Sequence, residues 1–221
     1  MNIHERKFKI LLLVLLVCGA LLFAFSPFSQ GVGDFIKEKI FISKYSDQKD
    51  FWLVYPTIKE NKKFIKNNPN NHIAYNSLGQ GYYGLKAYNQ AIDAFLRAVE
   101  IVPNNADYWS FLGKVYQAKK VYPLARDAYI EMLKRSPDVP NNYIQLAWLY
   151  YFRLDPEKEK AFEVLKQGLK KFPTDKNILF DITRYYLYDK NELEFRKYAP
   201  RYLKIDPDQQ SIKDSYEKGI Q

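Results

Sequence analysis

From residue 72 onward, large apolar side chains recur at offsets of three, four and seven, the spacing of one face of a 3.6-residue helix. The pattern then repeats. In residues 72–105, Tyr75, Leu78 and Tyr82 stand on one face beside Gly79, and Ala91, Phe95 and Ala98 stand on a second segment that closes at Pro103. Residues 106–139 carry Trp109, Leu112, Gly113 and Tyr116, then Ala125, Tyr129, Met132 and Pro137. Residues 140–175 carry Tyr143, Leu146, Ala147 and Tyr150, and resume two residues late with Ala161, Leu165, Gly168 and Pro173. The late return predicts a longer turn between the two helices of that unit. Residues 176–209 are looser, with Leu179, Ile182, Thr183, Tyr186, Phe195, Ala199, Tyr202 and Pro207, and with Pro200 inside the second helix, where a kink is expected. The prolines Pro69, Pro103, Pro137, Pro173 and Pro207 fall at spacings of 34, 34, 36 and 34 residues.

A two-helix unit of this size cannot close its own core, so neighbouring units must stack. The small residue at the eighth position of each of the first three units, Gly79, Gly113 or Ala147, predicts that another backbone comes close there, with Ala91, Ala125 and Ala161 in the matching role on the second helix. Local signals agree. Asp155, Pro156 and Glu157 supply an N-cap, a proline at the first helical position and an acid in the first turn, and Pro123 opens the second helix of its unit. Residues 51–71 read as a lone second helix, with Phe64 and Pro69 in register, that covers the open face of the first unit. Residues 210–221 read as a charged amphipathic cap, and 29–50 as a linker of mixed composition.

Residues 10–25 are sixteen residues without a charge, preceded by Arg6, Lys7 and Lys9. At about 1.5 Å per residue the run covers roughly 24 Å, and about 28 Å with Phe28 included, against a hydrocarbon core of about 30 Å. Residues 1–28 are therefore expected to form a membrane anchor. The cations before the run outweigh Lys37 and Lys39, which Asp34 and Glu38 dilute, so the N-terminus is expected in the cytoplasm and everything after residue 30 outside it. A cleaved signal peptide is the competing reading, with a small-x-small site at Ala24 and Ser26, but Pro27 follows directly and disfavours cleavage. Cys18 precedes Gly19, yet Val17 stands where a lipoprotein motif wants a small residue.

The order of Trp or Tyr, Leu, Gly, Tyr, Ala, Phe or Tyr, Ala and Pro in these units resembles the tetratricopeptide repeat (TPR). The resemblance covers residues 72–209 as four repeats, at 72–105, 106–139, 140–175 and 176–209, and implies an all-α, right-handed solenoid behind an N-terminal transmembrane helix. Positions 2, 5, 9 and 12 of each first helix form a stripe that cannot share the core of positions 4, 7, 8 and 11. In the tetratricopeptide family that stripe lines a concave groove. The resemblance therefore implies a partner-binding surface drawn from Asn76, Gln80 and Tyr83; Ser110, Lys114 and Gln117; Ile144, Trp148 and Tyr151; and Phe180, Arg184 and Leu187, extended by Ile73, Asp107, Asn141 and Asn177. The stripe turns aromatic along the chain, so a peptide or protein segment laid across repeats 3 and 4 is the expectation, tempered by the alternative that a cap or the long turn covers them. The positions where some members clamp a C-terminal carboxylate hold Asn76, Gln80, Phe111, Asn141 and Gln145, so that clamp is not expected.

Composition narrows the chemistry. One cysteine and two histidines, His4 and His72, cannot build a disulfide framework, a Cys/His zinc site or a Cys-His nucleophile within one chain. No phosphate loop, nucleophile elbow, HExxH or calcium loop occurs. Asp206 and Asp208 read as turn residues and His72 as a residue opening a helix. The expectation is therefore a binding protein: no enzyme, no cofactor, no metal, no small-molecule substrate. Beyond residue 30 the charge is still positive, 31 basic against 24 acidic residues, but clusters such as Lys62, Lys63 and Lys66 or Lys166, Lys170 and Lys171 fall on second helices and read as a solvated face. No nucleic-acid module is present. The function expected is a protein-binding adaptor in the inner membrane, its repeats on the periplasmic side, assembling an envelope complex of pilus, secretion or cytochrome-maturation type. The alternative is a permanent structural subunit of a larger membrane complex.

Overall fold

The computed structural model describes residues 27–220, and among them every regular element is helical. The apolar run at residues 10–25 lies outside the described residues; among the described ones no helix is long and apolar enough to cross a membrane. The chain divides into two compact units between residues 54 and 55.

In the first unit, helix α1 (Pro27–Tyr45) occupies most of the stretch expected to be a linker. The mixed composition conceals an i,i+4 aromatic pair: the rings of Phe41 and Tyr45 lie 4.7 Å apart, and Phe51 lies 6.2 Å from Phe41. Tyr45 and Phe51 are buried by this small cluster. Phe51 opens α2 (Phe51–Asn67), the helix expected as a cap. Phe64, on that helix, is 48% exposed.

In the second unit the expected hairpins follow in order: α3 (His72–Gly84) with α4 (Tyr88–Ile101), α5 (Ala106–Ala118) with α6 (Tyr122–Arg135), α7 (Pro140–Arg153) with α8 (Glu159–Lys171), and α9 (Lys176–Tyr188) with α10 (Glu192–Leu203). Each second helix also packs on the first helix of the next hairpin, and α11 (Gln210–Lys218) closes the stack on α10. The core is therefore continuous along the array. The helix α10 runs through Pro200, which stands close enough to its end that only one turn follows.

The small residues of the first helices do admit a close neighbour, but it is a ring and not a backbone. A Cβ built on Gly79 would fall 2.7 Å from the ring of Phe95, and one on Gly113 would fall 2.3 Å from the ring of Tyr129. Phe95 and Tyr129 are the aromatic residues of the paired second helix, and both are fully buried. Ala91, Ala125 and Ala161 are wholly buried as well, where a larger side chain would hold the two helices apart.

The turn inside a repeat has one chemistry, used three times. The amide of Ala87 donates to Tyr82 O, that of Val121 to Tyr116 O, and that of Asn191 to Tyr186 O, at 2.8 to 3.0 Å. Each closure requires the preceding residue in the left-handed region, and these are Lys86, Lys120 and Lys190 at φ 54, 64 and 53°. The third repeat lacks it, and its two extra residues become a 3-10 turn over Asp155–Glu157. That turn, with α8 beginning only at Glu159, replaces the N-cap expected of Asp155. Between repeats, Asn71, Asn105 and Asp175 cap the next first helix by accepting from backbone amides at 2.8 to 3.0 Å. The prolines hold the turns in place through their carbonyls. Pro103 O accepts from Trp109 Nε1 and Arg135 Nε, Pro137 O from the Tyr143 hydroxyl, and Pro173 O from Arg201.

Candidate functional site

The first helices of repeats 1 to 3 leave a groove of about 560 Å³. Its floor and walls come from three places in the repeat. Lys114, Gln117, Asn141, Ile144 and Trp148 project from α5 and α7. Tyr83 contributes from the end of α3, and Tyr129 reaches through from the second helix, its hydroxyl donating to Gln117 Oε1 at 3.0 Å. The rim is supplied by the turns, as Lys120, Tyr122 and Arg153. Burial pushes the Tyr129 hydroxyl well above its ordinary pKa, so it stays a donor and fixes the Gln117 amide.

Of the twelve residues that the tetratricopeptide resemblance assigned to binding, Tyr83, Lys114, Gln117, Ile144 and Trp148 are brought together here. Asn76, Gln80 and Ser110 lie on α3 and α5 without lining the groove, Gln80 being exposed and the other two half-buried. The remaining four belong to the other end of the array and do not line this groove. Tyr151 is buried: its ring stacks on Tyr185 at 4.0 Å, and its hydroxyl donates to Asp189 Oδ1 at 2.7 Å. Phe180 is half-buried with its ring 5.4 Å from that of Tyr202. Arg184 pairs with Asp181 at 2.7 Å and lies over the Phe180 ring at 4.9 Å. Leu187 lines a separate hollow of about 500 Å³ with Tyr188, Lys190, Asp214 and Ile220. Tyr151 and Phe180 thus pack against neighbours of the array itself. The pattern of one helix could not reveal this, because the partners of Tyr151 lie one repeat further on and that of Phe180 on the paired helix.

The rim residues were not expected. Lys120 and Arg153 lie outside the stripe of positions 2, 5, 9 and 12, and only the geometry of the turns brings them to the groove. A signal for Lys120 was present in the sequence, since a lysine occupies the turn position that glycine serves best. The Arg153 guanidinium lies 5.2 Å from the Trp148 ring centroid and 5.8 Å from that of Tyr122, which holds it over the groove's aromatic wall. Asp181, by contrast, is buried at the other end, where burial raises its pKa against the opposing effect of Arg184.

Residues 79–120, from Gly79 in α3 to Lys120 after α5, match the family described as TPR repeat. The hairpins have the tetratricopeptide fold. Three solved structures carry the same architecture over most of the chain. MamA is 22% identical, with a TM-score of 0.59, over 70% of this chain and 89% of its own. YrrB is 14% identical with a TM-score of 0.59, over 87% of this chain and 98% of its own. The C-terminal part of a TPR repeat-containing protein from Cytophaga hutchinsonii is 17% identical with a TM-score of 0.62, over 71% of this chain and 64% of its own. No curated protein matches the chain. At such identities what is shared is the tetratricopeptide fold. The lining of this array's groove, and the Lys120 turn at its rim, are described by this chain's own residues.

Proposed function

We propose that the chain is a membrane-anchored tetratricopeptide adaptor that holds an extended segment of a partner protein in the groove of repeats 1 to 3, and through it serves the assembly of an envelope complex. The observation that carries this reading is the groove itself. It is a hollow of about 560 Å³ walled by Trp148, Ile144 and Tyr83 together with amide and cationic side chains. A surface with a few aromatic anchors and satisfiable polar groups is what an extended chain requires. YrrB, described as a TPR protein with an unusual peptide-binding site, shows that the architecture accommodates such a ligand in another protein. The anchor rests on the uncharged run at residues 10–25, and the periplasmic side on the cations that precede it. The role is one of binding and not of catalysis, since the sequence holds no recognised catalytic motif.

Site-specific photocrosslinking in intact membranes tests the reading. A benzophenone side chain in place of Trp148 should give a discrete protein adduct that one in place of Glu163, on the exposed face of α8, does not. Identical adducts from both positions, or none from either, would refute groove binding. Labelling of an engineered cysteine at exposed Asn89 by an impermeant maleimide should proceed in spheroplasts without lysis; protection until lysis would place the repeats in the cytoplasm and remove the envelope role.

A further inference from the structure

The groove has a sign. Three cations line it, Lys114, Lys120 and Arg153, and no carboxylate does. The imbalance extends beyond the lining. Helices α3, α5 and α7 together contain one acidic residue, Asp107, in the first turn of α5 and distant from the rim. The other acids of these repeats sit on the second helices, as Asp93 and Glu100, Asp127 and Glu131, and Glu159 and Glu163, or in the turns, as Asp138, Asp155 and Glu157. Many cations elsewhere on the array are matched, among them Arg126 with Asp127 and Glu157, Arg135 with Glu131, and Lys158 with Asp189. Lys114, Lys120 and Arg153 make no ion pair among the described residues; Lys114 and Arg153 lie instead over aromatic rings, Phe111 at 5.4 Å and Trp148 at 5.2 Å. A cation that faces a groove, lacks a carboxylate and is braced against a ring is ready to meet an anion.

We infer that the segment this groove takes is acidic: an extended peptide with Asp or Glu side chains that reach Lys114, Lys120 and Arg153, and an apolar residue between them against Trp148 and Ile144. The inference rests on the groove being a polypeptide site. The apolar wall set between the cations favours a peptide over a lipid headgroup, which offers charge at one end and no side chain beside it. Lys120 contributes at a conformational cost, since glycine would satisfy its left-handed turn more easily, and the cation stands at the rim because of it.

The test is capture of full-length protein, in neutral detergent micelles, by an array of short peptides graded in net charge at constant apolar content. The peptides bound by the wild type and lost by Trp148→Ala should be predominantly acidic. Lys114→Glu/Arg153→Glu, both exposed on the surface, should weaken their capture by about tenfold or more, and salt should weaken the wild type in the same direction. Trp148-dependent capture without an acidic excess would overturn the inference and leave the groove reading intact. Absence of any Trp148-dependent capture would overturn both. A photoreactive phosphatidylglycerol that labels the groove in the wild type but not in the double variant would assign the cations to a lipid headgroup, and would also overturn the proposal.

Discussion

Replacing Gly113 by Ala tests whether the hairpins are set by a ring docked against a bare helix backbone. The added methyl would stand 2.3 and 2.4 Å from Tyr129 Cε1 and Cδ1, against an ordinary carbon contact of about 3.5 to 4.0 Å. The ring must therefore retreat by more than 1 Å. Its retreat is opposed, because Tyr129 is 2% exposed and its hydroxyl is tied to Gln117 at 3.0 Å. A clash this close falls in the upper half of the about 1–3 kcal/mol that overpacking costs, from which the better helix propensity of Ala returns about 1 kcal/mol. The net expectation is a loss of about 1–2 kcal/mol, or a midpoint lower by roughly 2–8 °C. Urea and thermal unfolding of the full chain in detergent, followed by far-UV circular dichroism, would measure it. Gly79→Ala, 2.7 Å from the Phe95 ring, should cost less, and Gly84→Ala, with nothing within 4 Å, should cost nothing. Because the clash is with one ring, Gly113→Ala made in a Tyr129→Leu background should cost at least about 1 kcal/mol less than in the wild type. A Gly113→Ala protein as stable as its parent, or one whose loss is the same in both backgrounds, would refute the account.

The lysines in left-handed turns predict the opposite sign. Lys86→Gly and Lys190→Gly, at φ 54 and 53°, should each raise stability by about 0.5–1 kcal/mol in a thermal melt, because glycine adopts that region without the side-chain clash; a lower midpoint for both would mean that the lysine side chains hold the turn. Stability should also fall at alkaline pH. Burial, chiefly, raises Tyr129, Tyr151, Tyr185 and Tyr186 well above the ordinary value of 10.0, and Tyr202 to about 12. The folded chain keeps protons that the unfolded chain releases near pH 10, so this contribution is complete below about pH 10 and is lost as pH rises beyond it. Tyrosinate absorbance of this set should therefore appear together with the loss of helix, and its appearance near pH 10 with the helix intact would contradict the burial described.

The hairpins were legible because their determinants are local and repeated. A proline every 34 to 36 residues follows each second helix, an Asn or Asp caps the next first helix in three of the four repeats, and a small residue at the eighth position marks where the paired helix crosses. What crosses there is the ring of Phe95 or Tyr129, sixteen residues on, and the spacing alone does not distinguish that from a backbone contact. The helix over Pro27–Tyr45 was missed because its signal is one aromatic pair, Phe41 and Tyr45, completed by Phe51 beyond a turn. Half of the groove was legible for a similar reason: Lys114, Gln117, Ile144 and Trp148 lie on a stripe that the helical period defines, while Lys120 and Arg153 come to the rim only through the path of the turns.

Periodicity alone thus established that the chain is a row of two-helix units, which faces those units bury, and that aromatic residues gather on one stripe toward the C-terminal end. Whether a stripe residue is a binding group or a core group depended on the neighbouring repeat. Trp148 stays half-open because Tyr83, Lys114 and Gln117 leave space before it, whereas Tyr151, one turn later on the same helix, is taken up by Tyr185 and Asp189 of the next unit. Two residues three apart on one helix face have the same local environment, and only the shape of what stacks against them separates a vacancy from a contact.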